Sequence, residues 1–126
     1  MKLAARVGDR IYGVARDVTI LDDFAHHPTA VHETVSALRA GYPGRRIWAV
    51  FEPRSASSCR RVFQDDFARS FASADEVVVA AVFRSTLPDD ERLSAEQLVS
   101  DLVKRGQRAR HIPGVDDIIQ TIVAEH

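Results

Sequence analysis

Asp22, Asp23, His26 and His27 place two carboxylates and two imidazoles within six positions, in the turn DDFAHHP. An apolar strand pattern precedes the turn and a helical pattern follows it. An ionised carboxylate only accepts hydrogen bonds, so either aspartate could take the hydroxyls of a ribose. His26 and His27 stand just before a helix N-terminus, where backbone N–H groups and the helix dipole favour anions. A histidine there can bond a carboxylate or phosphate, or hold a nucleophilic amine. Two other readings compete. One aspartate could simply cap the helix, with the histidines exposed. Two His and two Asp could also bind a metal, although adjacent histidines do not readily face one ion.

A second turn, FEPRSASSCR, follows the apolar run RIWAVF. It carries Arg54, then Ser55, Ser57 and Ser58. A planar guanidinium with hydroxyls at a helix start is a receptor for an oxyanion or a carboxylate. Against this stands helix capping by Ser57 or Ser58, with Arg54 solvated. Two polar, charged turns at the same sheet edge favour a shared site over either turn alone.

Several chemistries lack their motif. No G-x-x-x-x-G-K-[ST] is present to cradle a triphosphate, and no G-x-G-x-x-G to bind a dinucleotide. There is no G-x-S-x-G elbow for hydrolysis. Asp65 with Asp66, and Asp89 with Asp90, read as solvated faces. Asp116 and Asp117 suit the first turn of a last helix. His32 suits an exposed helix face, and His111 a strand end. Cys59, the single cysteine, has no base near it in sequence; it excludes an internal disulfide and a cysteine metal site.

The elements that must position these turns follow from periodicity. Residues 10–15 and 18–22 form a strand pair, expected as a hairpin. Residues 28–40 form a helix: Pro28 suits its first turn, Val31, Val35 and Leu38 share a face, and Gly41 suits its end. Residues 46–51 form a buried strand. Residues 58–73 form a helix with Phe63, Phe67 and Phe71 in step. Residues 76–83 (EVVVAAVF) form the clearest buried strand. Ser94 and Gln97 make a capping box for the next helix. Residues 108–112 form a strand, and a last helix from Val115 turns Ile118, Ile119, Ile122 and Val123 inward. The alternation implies an α/β fold: a Rossmann-like, mostly parallel sheet with helices on both faces, preceded by a short β-hairpin. Ligands of such sheets sit at the C-terminal ends of the strands. Three turns are thereby singled out: Asp22 to Thr29, Glu52 to Arg60, and Phe83 to Leu87.

The bulk numbers agree with one soluble domain over residues 1–126. The 17 basic and 18 acidic residues give a net charge of -1, so no global field favours nucleic acid or a membrane. Only Lys2 and Lys104 are lysines; the other basic residues are arginines, a bias that a GC-rich genome also produces. No apolar run reaches the length of a membrane span. MKLAARVGDR lacks a signal-peptide core, and a cytoplasmic location is expected.

DDFAHHPTAV followed by VFEPRS resembles the C-terminal domain of the Mur ligases, the ATP-dependent enzymes that build peptidoglycan stem peptides. The resemblance covers residues 10–126. Within the family it is nearest the branch that joins UDP-N-acetylmuramate to the cell-wall tripeptide L-Ala-γ-D-Glu-meso-diaminopimelate; the branch that adds L-alanine has a similar first turn and a different second one. The resemblance implies a Rossmann-like third domain that closes over a central ATPase domain of the same protein. It implies nucleotide contacts from Asp23 and His26, and substrate contacts from His27, Arg54, Ser55 and Arg60. ATP and Mg2+ would be held mainly by the central domain, and no metal by this one. The chain stops after IVAEH, where the family continues with a further strand, so a truncated fragment, inactive alone, is expected. A stand-alone Rossmann-like module binding an anion or nucleotide is the alternative from a different functional class.

Overall fold

The computed structural model describes residues 2–3, 10–15, 18–22, 27–53, 60–82, 88 and 90–125, the first three stretches as backbone strands. Strands β1 (Lys2–Leu3), β2 (Arg10–Ala15) and β3 (Val18–Asp22) form one three-stranded sheet in the order β1-β3-β2. The expected hairpin is present: β2 runs antiparallel to β3, with Arg10 opposite Asp22 and Ala15 opposite Val18. The register shifts between Ile11 and Gly13, where glycine tolerates an irregular ladder. β1 adds parallel to β3.

The second sheet is wholly parallel, in the order β4-β5-β6, from β4 (Trp48–Phe51), β5 (Glu76–Val79) and β6 (Arg108–His111). Parallel neighbours need crossover connections. A 3-10 turn (Arg61–Phe63) and α2 (Gln64–Ser70) link β4 to β5, and α3 (Ala95–Lys104) links β5 to β6. α1 (Pro28–Gly41) leads into β4, and α4 (Val115–Glu125) follows β6.

Successive strand residues point to opposite faces. Ala49, Phe51, Val77 and Val79 face one side and join Val31, Val35 and Leu38 of α1, Phe67 and Phe71 around α2, and Leu98 and Leu102 of α3. Trp48 and Val78 face the other side, with Ile118 of α4 and the partly buried Ile112 and Ile122. Helices therefore cover both faces, as the alternation requires.

Several boundaries differ from those expected. β5 ends at Val79, four residues early, because its partners end at Phe51 and His111 in register with it. β4 begins at Trp48, which leaves Arg46 outside the strand. The helix expected over 58–73 is an α-helix only over Gln64–Ser70 among the described residues, because Arg60 lies in extended backbone paired with Arg92. Half of the Ser94–Gln97 box forms. Ser94 Oγ accepts the Gln97 N–H at 3.1 Å, but the Gln97 side chain turns to Asp101, and the Ser94 N–H donates to Gln64. Gly106, at φ +85, ends α3 in the left-handed conformation that favours glycine. In α4, Ile118 is buried and Ile122 partly so, but Ile119 and Val123 are 55% and 52% exposed. Residues four apart share a helix face, and 119 and 123 sit one step round from the face that meets the sheet.

Arginines tie the start of the parallel strands together. Arg39 of α1 donates to the carbonyls of Ser73 and Arg45 and to Asp75 at 2.7 Å. Asp75 also accepts the Ile47 N–H at 2.7 Å. Arg46 donates to the Glu125 carbonyl in the last turn of α4, and Arg110 holds the Glu125 carboxylate through two hydrogen bonds of 2.6 and 3.0 Å. The Arg110 hydrogen bond pulls the Glu125 carboxyl below its ordinary value of 4.5, and Glu125 in turn raises the Arg110 guanidinium further.

Two outcomes follow from this packing. Leu98→Ala, in the fully buried row of α3, lowers stability by about 2–5 kcal/mol in urea unfolding, whereas Val103→Ala on the exposed side of the same helix changes it by about 0.5 kcal/mol or less. Glu125 has a folded-state pKa below its unfolded one, so its contribution is present above about 4.5 and fades as pH falls through the folded value. The stability gap between wild type and Glu125→Gln should therefore exist at neutral pH and close on acidification; a gap of constant size from pH 7 to 3 would break the assignment.

Candidate functional site

At the C-terminal end of the parallel sheet the ladder runs on into the loops. The Ala80 N–H donates to Phe51 O at 2.9 Å, and the Ile112 N–H to Val79 O at 3.0 Å. The His111 ring nitrogen Nδ1 lies 2.8 Å from Val79 O, and its Nε2 lies 3.8 Å from Glu96. His111 thus stands at the strand end expected of it.

His27 sits immediately before α1 in extended backbone, at φ -124 and ψ 144, and is itself the N-cap. Its Nδ1 accepts the Thr29 N–H at 3.4 Å, a long and correspondingly weak bond. In the neutral ring the proton then resides on Nε2, which leaves the exposed imidazole with an outward donor. Capping of α1 falls to a histidine, so that expected alternative role of Asp22 or Asp23 is already filled at this position.

The first turn meets the 3-10 turn that follows Arg60. Phe63 packs edge-on against His27, with ring centroids 5.2 Å apart and an interplanar angle of 61°. The Phe63 N–H donates to the carbonyl of Arg60, one turn earlier. Behind them the buried Ser70 hydroxyl lies 2.9 Å from Pro28 O and pins the start of α1 to α2. The end of the second turn also meets the segment before α3. Arg60 bridges Arg92, and the Arg61 N–H donates to Glu91 O at 2.9 Å. Of the expected binding residues, His27 and Arg60 are therefore brought to one end of the sheet, both exposed. Asp23, His26, Arg54 and Ser55 lie outside the described residues, as do Cys59 and the Phe83–Leu87 turn. Among the described residues no group of three or more His, Cys, Asp or Glu side chains converges as metal ligands, and no helix is long and apolar enough to cross a membrane.

Two residues that orient this edge have no catalytic signature in the sequence. Phe63 belongs to the regular Phe63, Phe67, Phe71 series, yet it is only half-buried and turns its ring to His27. Ser70 lies in a helix where nothing local marks it. No feature of the sequence sets Phe63 apart from the other two.

The family model described as Mur ligase, glutamate ligase domain, matches residues 9–126. A UDP-N-acetylmuramate–L-alanine ligase of Desulfitobacterium hafniense (strain Y51) is 39% identical over 107 residues, which are 84% of this chain and 23% of that protein. Its counterpart from Caldanaerobacter subterraneus subsp. tengcongensis is 34% identical over 110 residues, 87% of this chain and 24% of that protein. The chain thus spans about a quarter of the length of these curated relatives. Among solved structures, the murein peptide ligase Mpl from Psychrobacter arcticus 273-4 superposes with a TM-score of 0.73 at 28% identity, over 92% of this chain and 24% of that one. A domain provisionally assigned to a UDP-N-acetylmuramate:L-alanyl-gamma-D-glutamyl-meso-diaminopimelate ligase from Haemophilus ducreyi 35000HP gives 0.67 at 30% identity, over 93% and 77%.

The Phe63 contact can be tested by solution NMR. Phe63→Ala removes the ring from the face of His27, so the His27 imidazole and Thr29 amide signals should move while those of the exposed His32 stay. An unmoved His27 imidazole would exclude the contact.

Proposed function

Because the chain belongs to the Mur ligase, glutamate ligase domain family, we propose that it is the C-terminal domain of an ATP-dependent amide-bond ligase that joins UDP-N-acetylmuramate to the tripeptide L-Ala-γ-D-Glu-meso-diaminopimelate. The observation that supports this reading is the packing of Phe63, in the 3-10 turn that follows Arg60, against His27 at the C-terminal end of the parallel strands. The two solved relatives described above, both named for murein-peptide ligation, support the tripeptide as the amino substrate.

In this reading a carboxylate oxygen of the muramate attacks the γ-phosphorus of ATP and ADP departs. The amine of the tripeptide then attacks the acyl carbon, phosphate leaves, and the nitrogen loses its proton to give the amide. Such a reaction depends chiefly on positioning and charge stabilisation. Asp23 would accept hydrogen bonds from the ribose hydroxyls, with His26 beside the nucleotide. The outward Nε2–H of His27 would donate to the peptide. Arg54, Ser55 and Arg60 would hold its carboxylates, a task for which the guanidinium fork is suited. A central ATPase domain of the same protein would hold the triphosphate and Mg2+, whose charge offsets that of the phosphates.

A second reading, ligation of free L-alanine, draws on the curated relatives of that name. The full-length protein separates the two. Preference for the tripeptide over L-alanine in ADP release supports the first, and preference for L-alanine replaces it with the second. Arg54→Ala should raise the KM for the tripeptide roughly 10–100-fold, the worth of a charged hydrogen bond, with the KM for ATP little changed. The isolated 126-residue chain should show no ligation; turnover by it alone would refute the division of labour between domains.

A further inference from the structure

The opposite edge of the parallel sheet carries a separate concavity of about 390 Å³, lined by Arg39, Arg45, Arg46, Arg108, Asp75 and Glu76. All belong to the turn before β4 or to the N-terminal ends of β5 and β6, except Arg39, which reaches in from α1. It is thus remote in the topology from the turns that follow the strands. Four guanidiniums against two carboxylates leave its lining with a net positive charge.

The charges are unevenly used. Arg39 is spent on Asp75 and on backbone carbonyls, and Arg110, just behind, on Glu125. Glu76 is 2% exposed. Its Oε1 accepts from Arg110 at 3.2 Å. Its Oε2 faces Arg46 at 3.4 Å and Arg108 at 3.6 Å, yet takes no hydrogen bond. These separations exceed the usual N–H···O range, so both guanidiniums approach one oxygen without satisfying it. A buried acceptor left unmade is costly. Arg108 is 77% exposed, with Glu76 as its ion-pair partner among the described residues.

The ligand that fits must supply acceptors for two guanidiniums and one donor for Glu76. Hydrogen phosphate has that combination: anionic oxygens for the arginines and a P–OH for the carboxylate. Sulfate has the oxygens, but at neutral pH it has no proton to give. We propose that this edge is a phosphate-binding site, in which Arg46 and Arg108 hold the phosphate oxygens and Glu76 Oε2 accepts the P–OH. Oε2 is closed off beneath the two guanidiniums, and Arg108, the more exposed of them, swings off the carboxylate onto the incoming anion and uncovers it.

The chain's single tryptophan reports on the site. The Arg46 guanidinium lies 5.1 Å from the Trp48 ring centre, so a change at Arg46 alters the indole's surroundings. Inorganic phosphate titrated into the chain at constant ionic strength should change Trp48 emission saturably. Sulfate under the same conditions should bind at least about tenfold more weakly, and Arg108→Ala should weaken phosphate by about tenfold, since each removes one charged hydrogen bond. Arginine Nε–H NMR signals record the same titration, so a silent indole does not conceal binding. Absence of saturable binding by both probes overturns the proposal. So does equal affinity for sulfate, which would leave a general cationic patch, or undiminished phosphate binding by Arg108→Ala.

Discussion

The fold depends on a strand with no face for water. Val77, Val78 and Val79 are each fully enclosed, and so is most of Glu76 before them. A strand buried on both faces and paired on both edges needs two layers of cover and two neighbours. Parallel pairing then demands crossovers long enough to hold helices. α1, α2 and α3 lie over Val77 and Val79, and α4 lies over Val78. Polar groups cannot reside within this layer, so they gather at its two ends. The arginine and carboxylate network stands where the strands begin, and the His27, Arg60 and His111 segments stand where they end.

How far this was legible in the sequence differs by element. EVVVAAVF announced a buried strand through its β-branched run, and the spacing of Val31, Val35 and Leu38 announced a helix face, because both signals are local. Strand ends are not local. β5 stops at Val79 since Phe51 and His111 do, although Ala80 remains buried beyond it. Periodicity could not reveal that Arg60 pairs with Arg92, which delays the start of α2. Nor did it reveal β1, which adds parallel to β3 beside the expected hairpin and makes a three-stranded sheet separate from the parallel one.

The functional edge was legible as residue types and less so as roles. The turn DDFAHHP stood out by composition, and the described part of it, His27, lies at the expected place before Pro28. Its role as a cap was not visible, since histidine is not among the preferred capping residues. The consequence is chemical: with Nδ1 committed to Thr29, the neutral ring presents a donor rather than an acceptor. Phe63, which also packs against the core, then limits how the ring can turn, by an aromatic contact that spacing alone does not reveal.

The arginine bias has a physical use whatever its genomic cause. Arg39 reaches two carbonyls and a carboxylate from one side chain, and Arg110 grips Glu125 with two nitrogens while a third contact goes to Glu76. Lysine brings one nitrogen and could not satisfy acceptors this far apart. Arg46 and Arg110 also lie against the Trp48 ring at 5.1 and 5.5 Å, where a planar, weakly hydrated cation packs better than an ammonium. Glu76 can be buried at the head of the central strand because such cations surround it. Removing one would leave an under-compensated charge inside the protein, whereas removing Glu76 would leave guanidiniums to repel one another. The same crowding of cations that permits the buried carboxylate gives this end of the sheet its positive field, so a structural necessity and an anion-attracting surface are one arrangement of residues.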